Sequence, residues 1–182
     1  MRWRSWLTVI TVVGLAPARL SPQTSVQFDT LAKPPPEAGN RPGLAAPAFS
    51  LKTLAGAAAS LGDYKGRPVV INFWASWCEP CRSEMPLFVA AYAAHKPAGL
   101  EVLAVNLTDQ EGMKDVRKFV AAFQMPFPVL LDEQGRVRKL YALRGLPTTV
   151  FVGADGVVRL VNRGPVTAES LDLGLAGILP AR

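Results

Sequence analysis

Of the 182 residues, only two are cysteine, Cys78 and Cys81, and one is histidine, His95. So few cysteines exclude a small domain stapled by a disulfide framework. A metal clip is also poorly served. It needs about four ligands, and beyond the pair only His95 and four methionines offer soft donors. Charged residues are 19% of the chain, and the formal excess of +6 is scattered rather than gathered in blocks. That distribution gives no nucleic-acid partner a continuous surface to read. The densest basic stretch, Arg136, Arg138, Lys139 and Arg144, reads as the solvated face of a short helix. No segment repeats, and no apolar run reaches the ~20 residues of a bilayer span.

The longest uncharged run, Ser5 to Ala18, follows Arg2 and Arg4 and ends in Ala16-Pro17-Ala18, small residues that suit a signal peptidase. Residues 1–20 are therefore expected to be an export segment, either cleaved or kept as a short membrane anchor. The remainder is then expected outside the cytoplasm, in a bacterial periplasm or on the outer face of the cytoplasmic membrane. No cysteine follows the run, which leaves no attachment point for a lipid anchor. Residues 21–46 contain KPPPEAGNRPG and read as a proline-rich linker, since proline supports neither a helix interior nor a central strand. Residues 47–182 are of ordinary size for one domain.

Within that domain the apolar period alternates. PAFSLKTL and AAASL read as a hairpin, and RPVVINFWA as a strand covered on both faces. A helical pattern runs from Cys78 to Ala94, then the strand LEVLAVNL. A second helix follows from Glu111 to Phe123, with Asp109 as its expected cap. FPVLLD, EQGRVRKLYAL, and the pair TTVFV and GVVRLV continue as strand, short helix and hairpin; Thr167 caps a last helix carrying Leu171, Leu175, Ile178 and Leu179 inward. Strands alternating with helices imply an α/β fold with a mixed central sheet flanked by helices and an N-terminal hairpin extension.

Magnitudes decide what the cysteine pair is for. A bridge between residues three apart contributes roughly 2 kcal/mol by loop entropy, against roughly 5 for a loop of a hundred residues. Exchange chemistry needs what stands here. A strand-to-helix junction places Cys78 at a helix N-terminus, where free N–H groups favour a thiolate, and a second thiol one turn on can resolve a mixed disulfide. On a helical wheel Met85, Phe88 and Tyr92 all fall within about 40° of Cys81, so Cys81 faces the core while Cys78 caps the exposed end. Cys78 is the expected attacking sulfur and Cys81 the resolving one. Glu84, about 60° from Cys81, borders the apolar stripe. From the wheel alone it is a solvated carboxylate; if buried, it could carry the resolving thiol's proton. Pro86 lies inside the helix and is expected to kink it.

FWASWCEPCRSEMP and GLPTTVFVGADGVV, in this order and separation, resemble the TlpA/ResA-like thiol-disulfide oxidoreductases of the thioredoxin fold, within the wider AhpC/TSA and redoxin superfamily. The resemblance covers about Pro47 to Leu179. It implies a cis peptide at Leu146-Pro147 packed on the cysteines, with Pro147 shielding the thiols from metal and the Leu146 backbone pairing with substrate. It assigns Glu84 as a buried carboxyl that tunes the thiols, Trp77 as part of the substrate surface and Trp74 as core. Thioredoxin itself carries an aspartate where Asn72 stands. Glu79-Pro80, between the cysteines, accompanies relatives that act as reductants in cytochrome c maturation. The implied partners are therefore disulfide-bonded proteins, apocytochrome c among them, and a membrane thiol-electron donor of the CcdA or DsbD kind. No cofactor or metal is expected. Two alternatives share the fold. A peroxiredoxin-type peroxidase needs a threonine three residues before the attacking cysteine, where Ala75 stands, and a copper-delivery module needs a histidine partner.

Overall fold

The computed structural model describes residues 37–180; the expected export segment and the linker up to residue 36 lie outside the described residues. Residues 37–46, which the proline content assigns to the linker, are tied to the domain by backbone bonds. Gly43 N–H donates to Val158 O at 2.9 Å, Val158 N–H to Leu44 O at 2.9 Å, and Ala45 bridges Val157. Proline count says nothing of such pairing, because each bond uses a residue between the prolines.

Strands β1 (Ser50–Thr53) and β2 (Ala58–Ser60) form the N-terminal hairpin. Strand β3 (Val69–Trp74) leads through a short loop into helix α1 (Glu79–His95), followed by β4 (Glu101–Asn106), α2 (Met113–Ala122), β5 (Val129–Leu131) and α3 (Arg136–Leu140). The chain closes with β6 (Thr148–Val152), β7 (Val158–Arg163) and α4 (Ala168–Ala176). Among the described residues the strands make one seven-stranded sheet in the order β2-β1-β5-β4-β3-β6-β7, parallel across β3, β4 and β5 and antiparallel elsewhere. This is a thioredoxin fold with the hairpin added at one edge.

Strand β3 is central and buried at every position, which is why it reads VVINFW with a single polar residue. Alternation sends Val70 and Trp74 to the face covered by Met85 and Phe88 of α1, Phe119 of α2 and Leu171 and Leu175 of α4. Val69, Ile71 and Phe73 face the other way, toward Val137 of α3 and Tyr141. Asn72 shares the α1 face, so the one polar residue of β3 points into the helix layer that carries the cysteines.

Two local expectations are corrected. Helix α2 starts at Met113 with Gly112 as its N-cap and no side-chain cap, so Asp109 lies a turn too early to reach its free N–H groups. Asp109 instead pairs with Arg138 at 2.9 Å, which removes one member of the basic stretch from a purely solvated role. Thr167 caps α4 as expected, its hydroxyl accepting from Ser170 N–H at 3.2 Å.

Packing of α4 on the sheet predicts one result. A Cβ on Gly174 would run into the Phe151 ring. Alanine gains about 1 kcal/mol over glycine by helix propensity, yet overpacking costs typically 1–3 kcal/mol. Gly174→Ala should therefore lower the unfolding free energy in urea, and a stabilised variant would contradict this packing.

Candidate active site

Cys78 and Cys81 stand at the start of α1, where the fully buried β3 delivers the chain to the end of the sheet. Cys78 is the N-cap of α1, Pro80 occupies its first turn, and the Cys78 sulfur lies 3.3 Å from the Cys81 N–H. Proline there costs no hydrogen bond and its fixed φ begins the helix. The two sulfurs are joined as a disulfide. Cys81 is fully buried, as the wheel requires, but Cys78 is only 4% exposed, so the attacking sulfur expected at an open helix end is nearly covered in the disulfide form. Trp77 is 57% exposed, and Glu79 and Pro80 are exposed beside it. These three form the accessible rim of the dithiol; Trp74 is fully buried against Phe119 at 4.3 Å between ring centres.

The peptide Leu146-Pro147 is cis. Continuing the β3–β6 register, in which Phe73 faces Thr148, puts Pro147 beside Trp74, where the chain leaves the sheet for the cysteine loop. Pro147 is buried, and half-buried Leu146 packs on the apolar cluster that contains Cys78 and Cys81. Sequence-expected rim, dithiol and proline are thus brought to one end of the sheet.

Glu84 is 1% exposed, lying one turn after Cys81 on the inner side of α1. Its Oε1 accepts from Asn72 Nδ2 at 2.8 Å and its Oε2 from the Val166 backbone N–H at 2.7 Å. Burial pushes its carboxyl up from near 4.5 to about 7, against the two hydrogen bonds, which favour the charged form. Neighbours three apart on a helix lie about 5–6 Å apart at Cβ, so Glu84 stands on the same inner side of α1 as Cys81.

A second carboxylate escapes sequence reasoning. Glu111 Oε1 accepts from Ser76 N–H at 2.9 Å and from Asn106 Nδ2 at 2.6 Å, while Oε2 accepts from the Ser76 hydroxyl. The loop that presents Trp77 and Cys78 is thereby fastened to the end of β4. Glu111 reads as the first residue of a helix in the sequence, but α2 begins two residues later, which leaves its side chain free for the loop.

An end-of-sheet dithiol capping a helix, beside a cis-proline and a buried carboxyl, defines a thioredoxin-fold dithiol oxidoreductase. The AhpC/TSA family matches residues 42–161. ResA of Geobacillus kaustophilus, a thiol-disulfide oxidoreductase, is 38% identical over 138 residues, covering 76% of this chain and 78% of its own. The thioredoxin-like protein YneN of Bacillus subtilis is 36% identical over 172 residues, 94% of this chain and 95% of its own. The crystal structure of StoA from Bacillus subtilis superposes with a TM-score of 0.62 at 33% identity, covering 70% of this chain and 96% of that one. The chain belongs to the AhpC/TSA family, in its ResA-like branch of thiol-disulfide oxidoreductases.

The raised Glu84 carboxyl has a consequence for stability. The folded protein holds this proton up to about pH 7, whereas the unfolded chain releases it near 4.5. Folding takes up a proton between these values, so stability present below the lower one is lost as pH rises through the upper. Relative to Glu84→Gln, the disulfide form should lose up to about 3 kcal/mol of unfolding free energy over that range. Urea melts at both ends measure this, and parallel pH profiles for the two proteins would return Glu84 to an unperturbed site.

Proposed function

We propose that this oxidoreductase works outside the cytoplasm as a reductant of protein disulfides, with apocytochrome c, whose haem-attachment thiols must stay reduced, as the substrate class. The observation that carries the direction is Glu84, buried and hydrogen-bonded beside Cys81. A carboxylate there disfavours a second negative charge on the resolving sulfur. Oxidants of this fold owe their high potential to a stabilised reduced form; disfavouring the thiolate acts the other way and lowers the potential. The exposed Trp77 rim and the Leu146-Pro147 edge supply the surface for an extended peptide.

The step balances on the two sulfurs. Cys78 thiolate, stabilised by the α1 N-terminus, attacks one sulfur of the substrate disulfide and the other leaves as a thiolate. Cys81 then gives its proton to Glu84 and attacks the Cys78 sulfur. This forms the Cys78–Cys81 disulfide and releases the second substrate thiolate, with two electrons passed to the substrate. Electrons return from a membrane thiol donor of the CcdA or DsbD type, because reduced thiols do not persist unaided in an oxidising compartment. Among the described residues no helix is long and apolar enough to cross a membrane, so attachment to one would fall to the N-terminal segment.

The alternatives lack their working parts. Ala75 supplies no hydroxyl where a peroxidase holds peroxide, and the nearby Ser76 hydroxyl is engaged by Glu111. His95 ends α1, fourteen residues after Cys81 and so about 21 Å along the helix, out of reach of a metal on the thiols.

Two measurements test the reading. The reduced protein should reduce a disulfide-bonded Cys-X-X-Cys-His peptide stoichiometrically while consuming hydrogen peroxide no faster than a small thiol does; the reverse pattern would make it a peroxidase. Brief alkylation near neutral pH should modify Cys78 well before Cys81. Preferential labelling of Cys81 would exchange their roles.

A further inference from the structure

The bonds around Glu84 close a ring that passes through the proline edge. On one side Asn72 Nδ2 donates to Glu84 Oε1 and, at 3.1 Å, to the Thr149 hydroxyl, two residues beyond Pro147 on β6. On the other side Val166 N–H donates to Glu84 Oε2 at 2.7 Å, and two residues back Gly164 N–H donates to the Pro147 carbonyl at 3.0 Å. The Asn162 side chain holds this strap by donating to Gly164 O at 2.7 Å. The chain from Gly164 to Val166 therefore runs between the carboxyl and the cis peptide, and β6 closes the circuit.

The ring is built for an ionised Glu84, since both carboxyl oxygens accept and neither donates. A proton changes both arms. Each bond loses its charge assistance, which roughly halves its strength, and the new O–H needs an acceptor. Among the described residues Asn72 Oδ1 is buried without a partner. It can accept that O–H only if the amide turns over, which also exchanges the Asn72 group facing Thr149. Among the described residues no charged side chain acts on Glu84 to oppose this. Around it α1 contributes Cys81, β3 contributes Asn72, β6 contributes Thr149, and the segment before α4 contributes only the Val166 backbone; its ionisation is governed by burial and those two bonds.

We propose that Asn72 and Val166 are positioning residues that couple the protonation of Glu84 to the placement of the Leu146-Pro147 edge, so that the group serving the dithiol also sets substrate engagement. This rests on reading that edge as the substrate-pairing one. During turnover Glu84 takes the Cys81 proton as the protein disulfide forms, and the same proton would loosen the edge from which the reduced substrate must leave.

The test is a pH titration of the ¹⁵N-labelled full chain in its disulfide form, followed by amide resonances. The Asn72 side-chain amide and the backbone amides of Val166 and Gly164 should move with one shared midpoint, and all three movements should vanish in Glu84→Gln. Val166→Pro, which removes the donor, should raise the Asn72 midpoint and diminish the movement at Gly164, leaving only what the Asn72–Thr149 arm carries. If Gly164 stays fixed in the wild type while Val166 and Asn72 titrate, coupling stops at the carboxyl and the proposal falls. It falls equally if none of the three titrates. No substrate enters the measurement, so its failure leaves the reductase reading untouched, and failure of peptide reduction leaves the ring intact but without that substrate.

Discussion

The whole reaction end of this molecule depends on a carboxyl group taken out of water. Burying an ionised glutamate is costly unless it is hydrogen-bonded or neutralised, and the fold here does part of each. Asn72 from the central strand and the Val166 N–H ahead of α4 converge on Glu84, while the apolar layer around Cys81, Met85 and Phe88 excludes solvent. The outcome is a carboxyl poised about pH 7, where it can accept a proton or release one with little driving force either way. Helix α1, strands β3 and β6 and the strap before α4 are thereby placed relative to one atom group. A sulfur one turn away inherits that placement.

Around this centre the fold separates rigid from accessible parts. Cys81 and Trp74 are sealed in the core; Trp77, Glu79 and Pro80 reach solvent. Glu111 fastens the intervening loop through Ser76, so the exposed Trp77 and Cys78 are carried on a segment tied to β4. Such an arrangement suits exchange with large partners, because a disulfide presented at the rim meets the dithiol there while Cys81 and Glu84 stay buried behind it.

Much of this was legible in the sequence, for identifiable reasons. The strand VVINFW, the cysteine spacing and the inward course of Cys81 follow from periodicities that tertiary contacts reinforce. The wheel alone left Glu84 solvated and only the resemblance placed it inside, because a residue about 60° off an apolar stripe is buried or solvated according to what packs beside it, and α4 and its leading strap are remote in sequence. Asn72 was singled out only by the aspartate that thioredoxin carries there, and its partners were not visible. Glu111 was hidden by an assumed helix start two residues early, and the same shift misassigned Asp109 as a cap. The backbone pairing of residues 37–46 leaves no mark in side-chain composition.

The proposed role of Glu84, whose charge holds the dithiol at a reducing potential, is tested most directly by the equilibrium potential of Cys78–Cys81 against defined dithiol buffers, for the wild type and Glu84→Gln across a pH range spanning neutrality. The wild-type value should lie near or below the roughly −270 mV of thioredoxin at pH 7, with Glu84→Gln displaced toward more oxidising values, increasingly so above the carboxyl's midpoint. Coincident curves for the two proteins, or a wild-type value near the roughly −120 mV of the oxidant DsbA, would contradict it.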